Sequence, residues 1–218
     1  MNKIIYIAGI GHCGSTILDM SLGCHPSIIG LGEVINLLLA KKEDFSKEKF
    51  TQVLCSCGQN MDVCEFWSGA KNILLTNSKK TIEAKFQSLN HHFNKKFGND
   101  KILVDSSKNL TNILNFYHKN YKLYVIFLIR DVRSWVYSRH SRHGTNMIKL
   151  AFRWFKANFR MKQYLLRQNF EFMNVGYEEL SLYPDVLLKR ICDFIGIKYN
   201  PSFATFLRRG IILFGPKS

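Results

Sequence analysis

The sequence holds no apolar run long enough to span a bilayer or to form the core of a signal peptide: its first, Ile4 to Ala8, ends at Gly9. A cytoplasmic chain with no transmembrane segment is expected. Acidic side chains are scarce, with 16 Asp and Glu against 31 Lys and Arg. The net charge of +15 gives a field that draws phosphate, sulfate, nucleic acid or acidic polymers without choosing among them. No internal repeat, low-complexity tract or linker divides the chain, so a single domain over residues 1–218 is expected. Six cysteines do not make a disulfide scaffold at this length, and most are expected as thiols. Cys55, Cys57 and Cys64 form a CxCG…C cluster that would need a fourth ligand, such as His91 or His92, to hold zinc. Its CxC spacing favours plain packing over a metal or a disulfide.

What is present reads as alternating strands and helices. Ile4 to Ala8 is a β-rich run closed by Gly9 and Gly11, and Ser15 to Leu22 carries apolar residues at helical spacing, which gives strand, glycine loop, helix. Ile102 to Val104 and Leu123 to Ile129 repeat the pattern, with helical stretches at Asn109 to His118 and Val132 to Arg139. Phe172 to Val175 supplies a fourth strand, followed by a helix from Pro184 to Ile195. Near-continuous apolar strands imply a parallel sheet covered on both faces, so the fold class is α/β, a three-layer parallel sheet flanked by helices. A mainly helical insert at about residues 33–100 carries the cysteine cluster and lysine-rich faces. Met147 to Gln168 reads as an amphipathic helix: Phe152, Phe155 and Phe159 are expected in core contacts, and Arg153, Lys156, Arg160, Lys162 and Arg167 on a solvated face.

The loop Gly9-Ile10-Gly11-His12-Cys13-Gly14-Ser15-Thr16 follows a strand and opens a helix, where backbone N–H groups and the helix dipole converge on an anion. It has the GxxxxG spacing of a nucleotide triphosphatase loop, but Ser15 stands where that motif places lysine. Triphosphate chemistry is thereby disfavoured. A small kinase or nucleotide hydrolase stays open as an alternative, with Asp105 as its magnesium ligand, and so does a non-catalytic binder of polyanions.

From "GHCGSTILDMSLGCHPSIIGLGE" onward the chain resembles the sulfotransferase superfamily dependent on 3'-phosphoadenosine 5'-phosphosulfate (PAPS), including bacterial, tyrosylprotein and carbohydrate members. "VDSSKNL", "FLIRDVRSWVYSR", "GYEEL" and "ICDFIGI" continue the resemblance in family order over most of the chain. The resemblance implies a sulfotransferase fold related to the P-loop NTPase sheet, PAPS as donor, PAP as product and no metal. It implies that Gly11, His12, Cys13, Gly14, Ser15, Thr16 and Ile17 hold the 5'-phosphosulfate and that Arg130 and Ser138 clamp the 3'-phosphate. Arg208 and Arg209 stand where many members carry a longer basic loop over that phosphate. His12 takes the place usually held by Lys or Arg, Glu33 matches the catalytic glutamate of tyrosylprotein members, and Lys108 would neutralise charge on the sulfuryl group. Glu33 and His12 both remain candidates for the base, and Glu33 also reads as a helix N-terminal glutamate. The acceptor, a hydroxyl or amine of a small molecule, glycan or peptide, is not legible beyond the suitability of an anionic one.

Overall fold

The computed structural model describes residues 3–46, 51, 55, 59–108 and 112–201. They form two compact units, one taking in the described residues through Gly32 and from Ile102 onward, the other Glu33–Lys101.

The first unit is built on β1 (Lys3–Gly9), β2 (Ile28–Gly30), β3 (Ile102–Lys108), β4 (Lys122–Ile129) and β5 (Phe172–Gly176), all parallel and in the order β2-β3-β1-β4-β5. Its helices are α1 (Ser15–Leu22), α5 (Asn112–Asn120), α6 (Val132–His143), α7 (Met147–Arg167), α8 (Tyr177–Leu182) and α9 (Pro184–Ile195), with α2 to α4 in the other unit. Alternation across the pleat divides the core. Ile5 and Ile7 of β1, Val104 of β3, and Ile126 and Leu128 of β4 pack with Leu18 and Leu22 of α1 and with Leu188 and Ile191 of α9. On the other face Tyr117 of α5 meets Tyr6 edge-on, ring centroids 6.3 Å apart, and donates to Asp105 Oδ2 at 2.9 Å. Burial and the Asp105 charge push the Tyr117 phenol well above its ordinary pKa.

The sheet contains one strand more than the sequence pattern marks. β2 has three residues, too few to display a period, and it exists because Ile28 to Gly30 run in register with Ile102 to Val104 of β3. Gly30 is needed there: any Cβ would collide with the Asp19 carboxylate, which also accepts from Gly32 N–H at 3.2 Å. α9 starts with Pro184 in its first turn and is closed by left-handed Gly196 (φ 67°), the two residues that fix helix ends at least cost.

One expectation is overturned. Phe152, Phe155 and Phe159 of α7 are 71%, 61% and 54% exposed and make no core. The helix buries Leu150, Asn158, Met161 and Leu165 instead, so its aromatic stripe points outward.

The second unit is helical. It comprises α2 (Val34–Leu38), a 3-10 turn at Lys42–Ser46, α3 (Glu65–Thr76) and α4 (Ile82–Phe97). Phe66 stacks on His92 at 5.1 Å and meets Phe93 edge-on at 6.0 Å. His92 Nε2 is 3.1 Å from Phe66 O, which commits that imidazole to packing rather than to the cysteines. Cys57 lies outside the described residues, and among those described no group of three His, Cys, Asp or Glu could hold a metal ion. Among them, too, no helix is long and apolar enough to cross a membrane.

Candidate active site

In an open α/β sheet a ligand crevice forms beyond the carboxyl ends of the strands, where the chain reverses its direction of travel across the sheet. That point here lies between β1 and β4, because the strands after β1 lie to one side of it and β4 to the other. The loop leaving β1 and the Arg130 that follows β4 therefore emerge side by side, with Gly9 in register with Leu128.

The loop is shaped by residues that turn the backbone the unusual way. Gly14 (φ 98°) caps α1 in the left-handed region, and a Cβ there would lie 2.6 Å from Tyr177 Cε2. Only glycine lets the ring approach. His12 (φ 69°) and Lys108 (φ 67°) are also left-handed, two of the three such non-glycine residues among those described. A non-glycine residue held there costs on the order of 1–3 kcal/mol and marks a backbone constrained by its surroundings. For His12 the constraint is visible on both sides: Trp135 Nε1 donates to Gly11 O at 2.7 Å and Arg130 NH1 to His12 O at 3.4 Å. α1 opens with no side-chain cap and no acidic residue in its first turn, so the positive end of its dipole has no carboxylate of its own.

Arginines gather around this turn. The Arg130 guanidinium lies 4.8 Å over the Tyr177 ring, and its Nε is buried with no hydrogen-bond partner. Arg139 Nε is in the same condition, its guanidinium 5.8 Å from the Trp135 ring. Arg142 NH1 stands 3.5 Å from His12 Nδ1. Burial first, then the charges of Arg139, Arg142, His143 and Lys108, hold the His12 imidazole below its ordinary pKa. Arginine can only donate, so a hydrogen bond across this contact has Nδ1 as its acceptor. Trp154 Nε1 fixes the Arg130 carbonyl at 2.9 Å, and Glu178 accepts from Asp131 N–H at 3.1 Å. A cavity of about 400 Å³ opens beyond β4 and β5, lined by Arg130, Asp131, Trp154, Asn174, Gly176 and Glu178. A second, of about 270 Å³, lies along the loop between Gly9, Gly11, Trp135, Arg139, Arg153 and Met161.

Residues 5–201 match the model of the sulfotransferase family. The chain belongs to that family. The chain is similar in fold to the sulfotransferase domain of the Synechococcus PCC 7002 olefin synthase, at 20% identity and a TM-score of 0.58 over 93% of its own length and 76% of that domain. It is likewise similar to the sulfotransferase domain of the curacin biosynthetic pathway, at 20% identity and a TM-score of 0.60 over 93% of its length and 77% of that domain. A sulfotransferase from Mycobacterium tuberculosis H37Rv aligns at 13% identity with a TM-score of 0.57, covering 96% and 72% of the two chains. No curated protein matches by sequence.

Of the residues that the sequence singles out, the fold brings together Gly11 to Ile17, Lys108 and Arg130. Lys108 reaches the loop because it pairs with Ala8 past an irregularity in the β1–β3 register. Cys13 is fully buried and its N–H is already given to Ile10 O at 3.1 Å, and burial pushes its thiol pKa up. The Ile17 N–H is already given to Gly14 O at 3.0 Å. Ser138 is half-buried on α6, one turn from both Trp135 and Arg142 on the same side of the helix. Glu33 belongs to the other unit, where it is exposed, precedes α2 and accepts from Asn36 Nδ2 at 3.0 Å. Arg208 and Arg209 lie outside the described residues. Trp135, Arg139, Arg142 and Trp154 were not anticipated. The signal for the first three was present, since 135, 139 and 142 recur at helical spacing directly after Arg130.

Proposed function

We propose that this chain transfers a sulfuryl group from PAPS to a hydroxyl or amine acceptor and releases PAP. The observation that carries the reading is the state of Arg130: one guanidinium nitrogen reaches the loop backbone while its buried Nε has no partner. A buried unsatisfied donor is costly, and an anion beside it removes the cost. With the uncapped start of α1 and a second buried guanidinium nitrogen without a hydrogen-bond partner, Arg139 Nε, the residues present fit a ligand carrying separate anionic groups.

In the proposed reaction the acceptor oxygen or nitrogen forms a bond to sulfur as the bond from sulfur to the 5'-phosphate oxygen breaks, in line. The electron pair leaves with PAP, so charge grows on the bridging oxygen. Fixed donors from Gly14, Ser15 and Thr16 stabilise it there, and an N–H of the His12 imidazole adds one more. Lys108 supplies a positive charge toward the SO3 group. Arg130 and Ser138 hold the 3'-phosphate, a fork and a hydroxyl on successive elements. The acceptor proton passes to a base, for which Glu33 and His12 are the candidates. These roles need positioned dipoles and cations and call for no metal. The basic surface favours an anionic acceptor.

The test is transfer of labelled sulfate from PAPS to a panel of phenols, glycans, lipids and peptides in the presence of EDTA, with PAP binding followed by thermal shift. PAP stabilisation and EDTA-resistant transfer are expected. Failure of PAP to bind, or turnover of ATP with magnesium instead, overturns the reading.

A further inference from the structure

α7 turns its most apolar stripe to the outside. At about 100° per residue, Ile148, Phe152, Phe155, Phe159 and Leu166 fall within an arc of roughly 60° and follow the helix for about 27 Å. They are 68%, 71%, 61%, 54% and 53% exposed. Phe155 and Phe159 stack on one another, ring centroids 5.9 Å apart and 19° from parallel. The adjoining arc carries Lys149, Arg153, Lys156, Arg160 and Arg167, Lys162 flanks the other side, and the helix contains no acidic residue. All six bases are exposed. A contiguous apolar face of this size is unusual on a monomer and marks a docking surface.

We propose that α7 docks the protein on an anionic lipid bilayer, lying in the plane of the interface. An apolar stripe rimmed by cations is what an interfacial helix requires: the phenylalanines enter the acyl boundary while the bases meet acidic headgroups. The charge argues against the other occupants. Two copies meeting through α7 would oppose six bases to six with no carboxylate on either helix to offset them. A single-stranded nucleic acid would use aromatic faces for base stacking. Here Phe155 and Phe159 turn one face to each other, and the stripe ends in aliphatic Ile148 and Leu166, which offer a base no face. The inference does not depend on the donor or acceptor of the reaction, because none of the stripe residues lines either cavity of the site; of the six bases, Arg153 alone does, and the test leaves it unchanged.

The test is co-sedimentation with vesicles of phosphatidylcholine alone and of phosphatidylcholine mixed with phosphatidylglycerol. The protein is expected to pellet with the mixed vesicles and to stay in solution with the neutral ones. The triple variant Phe152→Ser, Phe155→Ser, Phe159→Ser keeps every charge and loses roughly 100-fold or more in vesicle affinity. Because these side chains are exposed, its melting temperature and its PAP binding should match the parent, which separates this reading from that of the catalytic site. Lys149→Glu with Lys156→Glu and Arg160→Glu removes the preference for phosphatidylglycerol. Unchanged vesicle affinity in the triple serine variant reduces the attraction to net charge and overturns the proposal. So does a dimer in sedimentation equilibrium that the serine substitutions dissociate, or a loss of oligothymidine binding in that variant with vesicle binding retained.

Discussion

Replacing Arg130 by alanine isolates the contact on which the functional reading turns. The side chain now gives one long hydrogen bond, NH1 to His12 O at 3.4 Å, and a 4.8 Å contact over Tyr177, while its Nε is buried and unpaired. Removing it from the empty protein deletes a cation–π contact of about 0.5–1 kcal/mol together with an unsatisfied donor, so urea-melt stability should move by less than about 1 kcal/mol. The ligand-bound protein should behave differently. A charge-assisted hydrogen bond to phosphate is worth about 1.5–3 kcal/mol, or roughly 10- to 140-fold in Kd at 1.4 kcal/mol per factor of ten. Calorimetric titration at fixed ionic strength should therefore show PAP weakened by that factor and AMP, which has no 3'-phosphate, weakened less than about threefold. Arg130→Lys keeps the charge and loses the fork, so it falls between the two. Equal losses for PAP and AMP would refute the assignment of Arg130 to the 3'-phosphate, and so would an unchanged PAP affinity.

Other outcomes follow from the same geometry. Gly14→Ala combines a left-handed backbone, about 1–2 kcal/mol, with a Cβ driven into the Tyr177 ring, about 1–3 kcal/mol more, and should lower Tm by on the order of 10 °C in a thermal melt; an unshifted Tm would show the ring free to move aside. The His12 imidazole should titrate below free histidine by NMR and move upward when PAP offsets the neighbouring arginines, and a midpoint at or above the free value contradicts the arrangement. Since the folded protein then binds fewer protons at His12 than the unfolded chain does, His12 makes stability decline as pH falls through the ordinary histidine range, and His12→Asn removes that part of the slope. The same loss of the imidazole should reduce turnover by orders of magnitude. Glu33→Gln should depress kcat while leaving PAP affinity unchanged, and wild-type kcat would move the base elsewhere.

The sheet was legible because its central strands are buried on both faces and so appear as uninterrupted apolar runs; β1 and β4 are read within a residue or two of their ends. α1 and α9 are read to the residue, the first announced by a glycine loop and the second bracketed by Pro184 and Gly196. β2 escaped because three residues cannot show a period, and its existence depends on a partner seventy-odd positions away, an alignment no local pattern encodes. The orientation of α7 was misread for a related reason. Its two stripes, Leu150–Met161–Leu165 and Phe152–Phe155–Phe159, are both apolar and both helically spaced, so only packing decides which is turned inward. At the site, the loop and Arg130 were readable as a glycine pattern and a strand-terminal arginine. The indoles that hold their carbonyls were not, since a tryptophan hydrogen-bonded to a loop leaves the same trace in a sequence as one in a core.

Those indoles give the molecule an optical reporter of its own. Of its three tryptophans, Trp135 and Trp154 each place the ring N–H on a carbonyl of the two segments that flank the crevice, at Gly11 and at Arg130. Whatever enters the crevice and shifts either segment must stretch or shorten one of these bonds. Occupancy can then be followed in real time from intrinsic emission, without a dye and without knowing the acceptor.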